Sequence, residues 1–155
     1  MYKTLLLTSV LVFSVSFGNS QNSRFDKDER AIQRVIEDES KYFWARDFKN
    51  WQKQWIHKPY VVWSAASDAG VRQYHGWKAW EKEVMDLFAE SPDPIPYDNV
   101  VKKENYVFRI YEDGAWVSFE QFNEGIHSYE TRIMEKNGGK WRIAAVQLFY
   151  DANED

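Results

Sequence analysis

The chain has 155 residues, no cysteine, 17% aromatic residues including 8 tryptophans, and a formal net charge of −4. That length predicts one domain. The absence of cysteine excludes disulfides and thiol chemistry, and the mildly acidic balance argues against a nucleic-acid partner, which needs a basic face.

At the N-terminus Lys3 precedes the apolar run TLLLTSVLVFSVSFG, and Gly18-Asn19-Ser20 offers small residues before Gln21. A positive start, an apolar run too short to span a bilayer comfortably and a small-residue exit describe a secretory signal peptide over residues 1–20. The competing reading is a membrane anchor. No polybasic flank follows the run to stop its transfer, which favours cleavage. With no cysteine, no lipid can be attached through a thiol after cleavage. The mature chain then holds about 135 residues, enough for one ordinary core. Losing Lys3 takes its charge from −4 to −5. It is expected to be secreted or periplasmic and to have no membrane partner.

Residues 21–27 form a polar stretch, expected to be a flexible leader. Asp28 can cap a helix whose apolar positions, Ile32, Val35, Ile36 and Phe43, make one stripe. Asp47 reads as a second cap, opening FKNWQKQWI with Phe48, Trp51 and Trp55 on one face, and Pro59 ends that element. The β-branched and aromatic run YVVWSAA predicts a strand, and the short piece VRQYH follows SDAG. Gly76 opens a third helix with Trp77, Trp80, Val84, Leu87 and Phe88 inward, stopped by the prolines of SPDPIP. NYVFRIY, Asp113-Gly114 and AWVSFEQF make a hairpin, and a last hairpin turns at Asn137-Gly138-Gly139. Residues 28–151 are read as a single domain and 152–155 as a tail. Strands segregated from helices predict the α+β class.

Two polar anomalies sit on apolar faces. In the last hairpin, either even-numbered loop puts Glu130, Arg132 and Met134 on a face with Trp141, Ile143, Ala145, Gln147 and Phe149; only a bulge would mix the two faces. In the first helix, Glu39 falls near the centre of the apolar stripe. Charges are rarely buried unless paired. One reading is structural: Glu130 pairs with Arg132, and Glu39 reaches the rim or pairs with Arg46. The other is functional. Arg132 would then hold a ligand's anionic or carbonyl group, and Glu130 would be a general acid or base, with Glu39 meeting Arg132 or Arg109 across a cavity. Trp51, Trp55, Trp77 and Trp80 lie at helical spacing and read as core. Trp63 and Trp44 are better pocket walls, Trp44 because it lies off the main stripe. His57, His75 and His127 show no metal-binding spacing, and the chain has no phosphate loop and no G-x-S-x-G, so neither a metal nor any other cofactor is expected.

The element order, with YFWARDFKNWQKQW at the first helix–helix junction, HGWKAW opening the third helix and ETRIMEKNGGKWRIAAVQLF at the end, resembles the nuclear transport factor 2-like superfamily. SnoaL-like polyketide cyclases, ketosteroid isomerases and scytalone dehydratase belong to it. The resemblance covers residues 28–151. It implies a curved antiparallel sheet packed on three helices, a cone with a pocket at its open end, and a homodimer through the outer sheet face. Against the ketosteroid isomerases, Glu39 falls where the family has its oxyanion-hole tyrosine and Glu130 where it has its oxyanion-hole aspartate. Ser64 falls near the catalytic base, and serine there cannot abstract a proton unaided. The isomerase mechanism is therefore not carried over, and no scytalone dehydratase set can be matched.

The chain is thus expected to be an exported cone domain that binds a small organic molecule in an aromatic-walled, partly polar pocket. Glu130 and Glu39 are the candidate catalytic residues; Arg132, Gln147, Trp63 and Trp44 are the candidate ligand contacts. Any chemistry would be metal-free acid–base work of the isomerase, cyclase, dehydratase or hydrolase kind. The alternatives are binding without turnover, a dimeric interaction module, and sugar binding on the aromatic walls.

Overall fold

The computed structural model describes residues 18–97, 101–123 and 125–151, with side chains described from Phe25 onward. The expected signal peptide falls mostly on residues 1–17, and the tail on 152–155, outside the described residues. No helix among the described residues is long and apolar enough to cross a membrane.

Helix α1 runs Gly18–Trp44, so it starts ten residues before Asp28 and passes through the stretch expected to be a leader. Between Asn19 and Trp44 there is neither proline nor glycine to stop it. Asp28 is therefore not a cap. Its carboxylate accepts from Trp141 Nε1 at 2.9 Å and from Lys136 Nζ at 3.0 Å, tying α1 to the last hairpin. The stripe is as expected: Ile32 and Ile36 are fully buried, and Glu39 lies buried beside them.

At the end of α1, Arg46 takes a left-handed φ of 57°. Arg46 N donates to Phe43 O at 3.1 Å and Asp47 N to Tyr42 O at 2.9 Å, the two bonds of a Schellman turn. Asp47 then caps α2 (Phe48–Trp51), accepting from Asn50 N at 3.1 Å. This sharp reversal folds Trp51 back under α1. A 3-10 turn, Gln52–Gln54, leads to β1 (Val62–Ser67) and β2 (Gly70–His75). Helix α3 follows at Trp77–Glu90, then β3 (Val101–Ile110), β4 (Gly114–Asn123), β5 (Ile126–Asn137) and β6 (Lys140–Tyr150). Trp77, Trp80 and Val84 of α3 are buried and Phe88 packs on the core, whereas Leu87 is exposed.

The six strands form one open sheet in the order β2-β1-β6-β5-β4-β3. It is mixed: β1 runs parallel to β6, and every other neighbour pair is antiparallel. The core lies between its inner face and the helices. Trp51 is its centre, with its ring stacked on Trp77 and edge-on to Trp80.

Two bulges change which residues face that core. The last hairpin turns through Gly138 and Gly139, both at positive φ, and pairs Asn137 with Lys140 and Met134 with Ile143. An extra residue, Ala144, then shifts the register, so that Ile133 pairs with Ala145 and Arg132 with Val146. Up to Ile143 the odd residues of β6 face inward; beyond it Ala144, Val146 and Leu148 do, and Gln147 is exposed. In β3 a second irregularity lies between Glu104 and Val107, where Asn105 has φ of 56°. Tyr106, Phe108 and Ile110 pack against the core, and past the bulge Lys103 turns inward.

Gly76, at the entry to α3, has φ 82° and ψ 147°, a region open to glycine alone. A Cβ there would lie 3.3 Å from the Pro59 carbonyl oxygen, and Gly76 N donates to Val61 O at 2.7 Å. Gly76→Ala should lower stability by about 1–3 kcal/mol, read as an earlier midpoint in urea unfolding. An unchanged midpoint would show that the junction relaxes without cost.

Candidate functional site

The two polar anomalies meet. Arg132 on β5 donates from Nε to Glu130 Oε2 at 2.7 Å and from Nη1 to Glu39 Oε2 at 3.0 Å. The three side chains are almost wholly buried. Glu130 and Arg132 share a face because strand side chains alternate, and Glu39 reaches them because the α1 stripe lies over β5. Burial pulls the guanidinium pKa down, but the charges of Glu130 and Glu39 outweigh it and hold it above its ordinary value. Its ring neighbour is Phe119, 5.5 Å from the guanidinium carbon.

The two carboxylates are not equivalent. Glu39 uses both oxygens, because Trp51 Nε1 donates to its Oε1 at 2.8 Å. Glu130 commits only Oε2, to Arg132. Both oxygens of Glu39 are thus committed, and among the described residues no donor meets the other oxygen of Glu130. Of the alternatives for Glu39, Arg132 is the partner. Arg46 instead bonds Ser91 O at 2.8 Å and packs over Phe43, Trp44 and Phe88.

Above this trio opens a cavity of about 230 Å³. Its apolar walls include Phe43, Trp44, Trp55, Trp63 and Trp80, closed by Val146 and Leu148. Its polar groups are the trio with Ser40, Gln121, Asn123, Ser128 and Tyr150. Ser128 Oγ donates to Gln121 O at 3.3 Å. Burial, then the charge of Glu130, raises the Tyr150 phenol above its usual range. Trp63 stacks on Trp80 with centroids 4.7 Å apart.

Of the six residues expected here, Glu130, Glu39, Arg132, Trp63 and Trp44 all line the cavity, and Gln147 does not. The β6 bulge turns Gln147 to the outer face opposite Thr131. Ser64 is also outside the cavity, donating to Val146 O at 3.2 Å. Alternation along β4 and β5 carried the signal for Gln121, Asn123 and Ser128: they have the parity of Val117, Phe119 and Glu130. Nothing local marked Tyr150, whose side depends on the bulge. Trp55 and Trp80, read as core, are core residues that also face the cavity.

A second polar cluster lies near the trio. Tyr106 OH donates to Glu37 Oε1 at 2.7 Å, Tyr97 OH donates to Glu37 Oε2, and Lys103 Nζ donates to Tyr97 OH at 3.0 Å. Burial first, then the charge of Arg132, pushes the Lys103 amine down to about 8. Burial and the Glu37 carboxylate raise both phenols well above their ordinary range. Among the described residues no group of three or more His, Asp or Glu side chains could hold a metal ion.

Removing one member of a buried, paired charge group leaves its partners uncompensated. Arg132→Met should therefore lose about 3–5 kcal/mol in urea unfolding, because it strands two carboxylates. A loss below about 1 kcal/mol would mean that these carboxylates reach water freely.

No family model matches the sequence, and no curated protein matches it significantly. Solved structures do match. A cystatin-like fold protein from Burkholderia xenovorans is 17% identical with a TM-score of 0.60, covering 80% of this chain and 92% of its own. An NTF2-like protein of unknown function from Silicibacter pomeroyi is 12% identical with a TM-score of 0.64, over 82% and 98% of the two chains. A protein named as a candidate scytalone dehydratase, from Novosphingobium aromaticivorans, is 12% identical with a TM-score of 0.63, over 84% and 88%. Three helices against one curved open sheet, matched over nearly the whole length of such neighbours, give this chain the nuclear transport factor 2-like fold.

Proposed function

We propose that this chain is an exported small-molecule-binding cone domain whose ligand sits in the aromatic cavity above Arg132. The observation that carries the reading is the combination at one place of an open, aromatic-walled cavity and a carboxylate, Glu130, with an uncommitted oxygen. Binding sites are typically concave and apolar with a few placed polar groups. At about 230 Å³ the cavity suits a molecule smaller than those filling the usual range of about 300–1,000 Å³. Where the bound molecule offers an exchangeable proton, Glu130 is the group that would take or return it. The fold supports enzymes and binders equally, so the acid–base role rests on Glu130 alone.

A ligand-observed NMR screen of small fragments should find binders that shift the indole signals of Trp63 and Trp44. Trp63→Ala should weaken those binders about tenfold, the equivalent of about 1.4 kcal/mol of lost wall. Hits that map elsewhere, or a Trp63→Ala variant that binds equally well, would remove the cavity as the site.

We further infer that a second copy of the chain covers the outer sheet face. Val107, Trp116, Tyr129, Ile133 and Phe149 are exposed there, and Trp116 pairs with Ile133 and Tyr129 with Phe149 across the strands. Several large apolar side chains exposed on one sheet face are characteristic of interaction faces. Native mass spectrometry of the protein recovered from its own cells tests export and assembly together. The expected species is a dimer of chains that begin near Gln21. A monomer mass would remove the dimer, and an intact N-terminus would remove the cleavage.

A further inference from the structure

The charges and rings that border the cavity point to the kind of molecule it holds. Three charged side chains line it: Glu39, Glu130 and Arg132. Their formal sum is −1. Two of the three nitrogens of Arg132, Nε and Nη1, are held by the two carboxylates, so its single positive charge is already outnumbered. An anionic ligand approaching the remaining nitrogen, Nη2, would come up to a guanidinium already flanked by two carboxylates, and displacing either would break a buried pair. Lys103 does not line the cavity; its amine donates to Tyr97 OH and lies 3.8 Å from Glu37, and the charges of Glu130 and Glu37 both act on it.

The walls have the same preference. Trp44, Trp55, Trp63, Trp80, Phe43 and Tyr150 border the space. Aromatic faces carry negative potential and attract cations, most strongly tryptophan and most strongly when water is excluded. Neutral polar ligands could use Gln121, Asn123 and Ser128, but they would leave the excess negative charge of the floor unanswered.

We propose that the cavity recognises a small organic cation, an alkylated or quaternary ammonium, with its charged head among the tryptophan rings and beside Glu130. This rests on the cavity being the binding site. It stands beside the sequence-based expectation that Arg132 anchors an anion or a carbonyl group, and the probes below separate the two.

Three probes of nearly equal shape separate the possibilities: choline, its neutral carbon isostere 3,3-dimethyl-1-butanol, and the anionic 3,3-dimethylbutanoate. Binding is followed on the wild-type protein by calorimetry, and by NMR contacts between the probe methyl groups and the Trp63 and Trp80 indoles. The expected result is that choline binds at least about tenfold more tightly than the neutral isostere. The anion should bind more weakly than either, and the contacts should fall on those indoles. Glu130→Gln should shrink the ratio of choline to isostere affinity, and raising the salt concentration should shrink it less, since the charge pair is buried. If the neutral isostere binds in the cavity as tightly as choline, or the anion binds best, the cation preference is overturned and the cavity remains a binding site. If none of the three contacts the indoles, the cation proposal is overturned, and the fragment screen decides separately whether the cavity binds anything.

Discussion

A buried guanidinium is the constraint on which the arrangement depends. Arg132 lies on the inner face of β5, and a single charge there costs several kcal/mol of lost hydration, on the order of the penalty for any buried ion. It is tolerable only because Glu130 and Glu39 meet it at hydrogen-bond distance. Glu39 in turn must be held in place, and Trp51 holds it through the indole N–H. That contact spans only 12 residues of chain, and the Schellman turn at Arg46 makes it possible by reversing the backbone between α1 and α2. One ion trio therefore fixes the height of α1 against the sheet, the angle of α2 beneath α1, and the face that β5 presents. A well-packed apolar trio of similar volume could be as stable or more so. What the ions add is a definite register and a polar floor.

The two bulges decide what stands around that floor. The extra residue Ala144 lets β6 present Trp141 and Ile143 to the core at one end and Val146 and Leu148 to the cavity at the other. In β3 the irregularity at Asn105, an amino acid that tolerates left-handed φ, brings Lys103 inward opposite Gln121. Each bulge moves a polar residue across the sheet: Gln147 outward, Lys103 inward. The cavity therefore lacks an amide on the β6 side and is more apolar there than simple alternation would make it.

The polar interior is divided into two groups with different duties. The cluster of Glu37, Tyr97, Tyr106 and Lys103 is internally satisfied and joins α1 to β3 and to the segment after α3. In the trio of Glu39, Glu130 and Arg132, Glu39 has both oxygens bonded while Glu130 and the arginine keep atoms without a partner among the described residues, and the trio borders open space. A carboxylate held by an arginine at one oxygen and open at the other can orient a donor or exchange a proton with it. The surrounding tryptophans lower the local dielectric and strengthen whatever electrostatic contact is made.

Much of this was legible in the chain. Helical period put Glu39 in the α1 stripe, and strand period put Glu130 beside Arg132, because both periods are properties of the local backbone. Asp47 as a cap, Gly76 at the α3 entry and the glycine turn at 138–139 were legible because each answers to its own φ and ψ. The helix start was misplaced because a polar stretch without proline or glycine carries no stop signal. Only the tertiary structure could decide that Glu39 reaches Arg132 rather than Arg46, that β1 pairs parallel with β6, and that Gln147 leaves the cavity while Tyr150 enters it. Those outcomes depend on distant segments meeting and on one inserted residue in a ladder. Neither leaves a periodic trace, since a bulge costs one residue and inverts the parity of every residue beyond it.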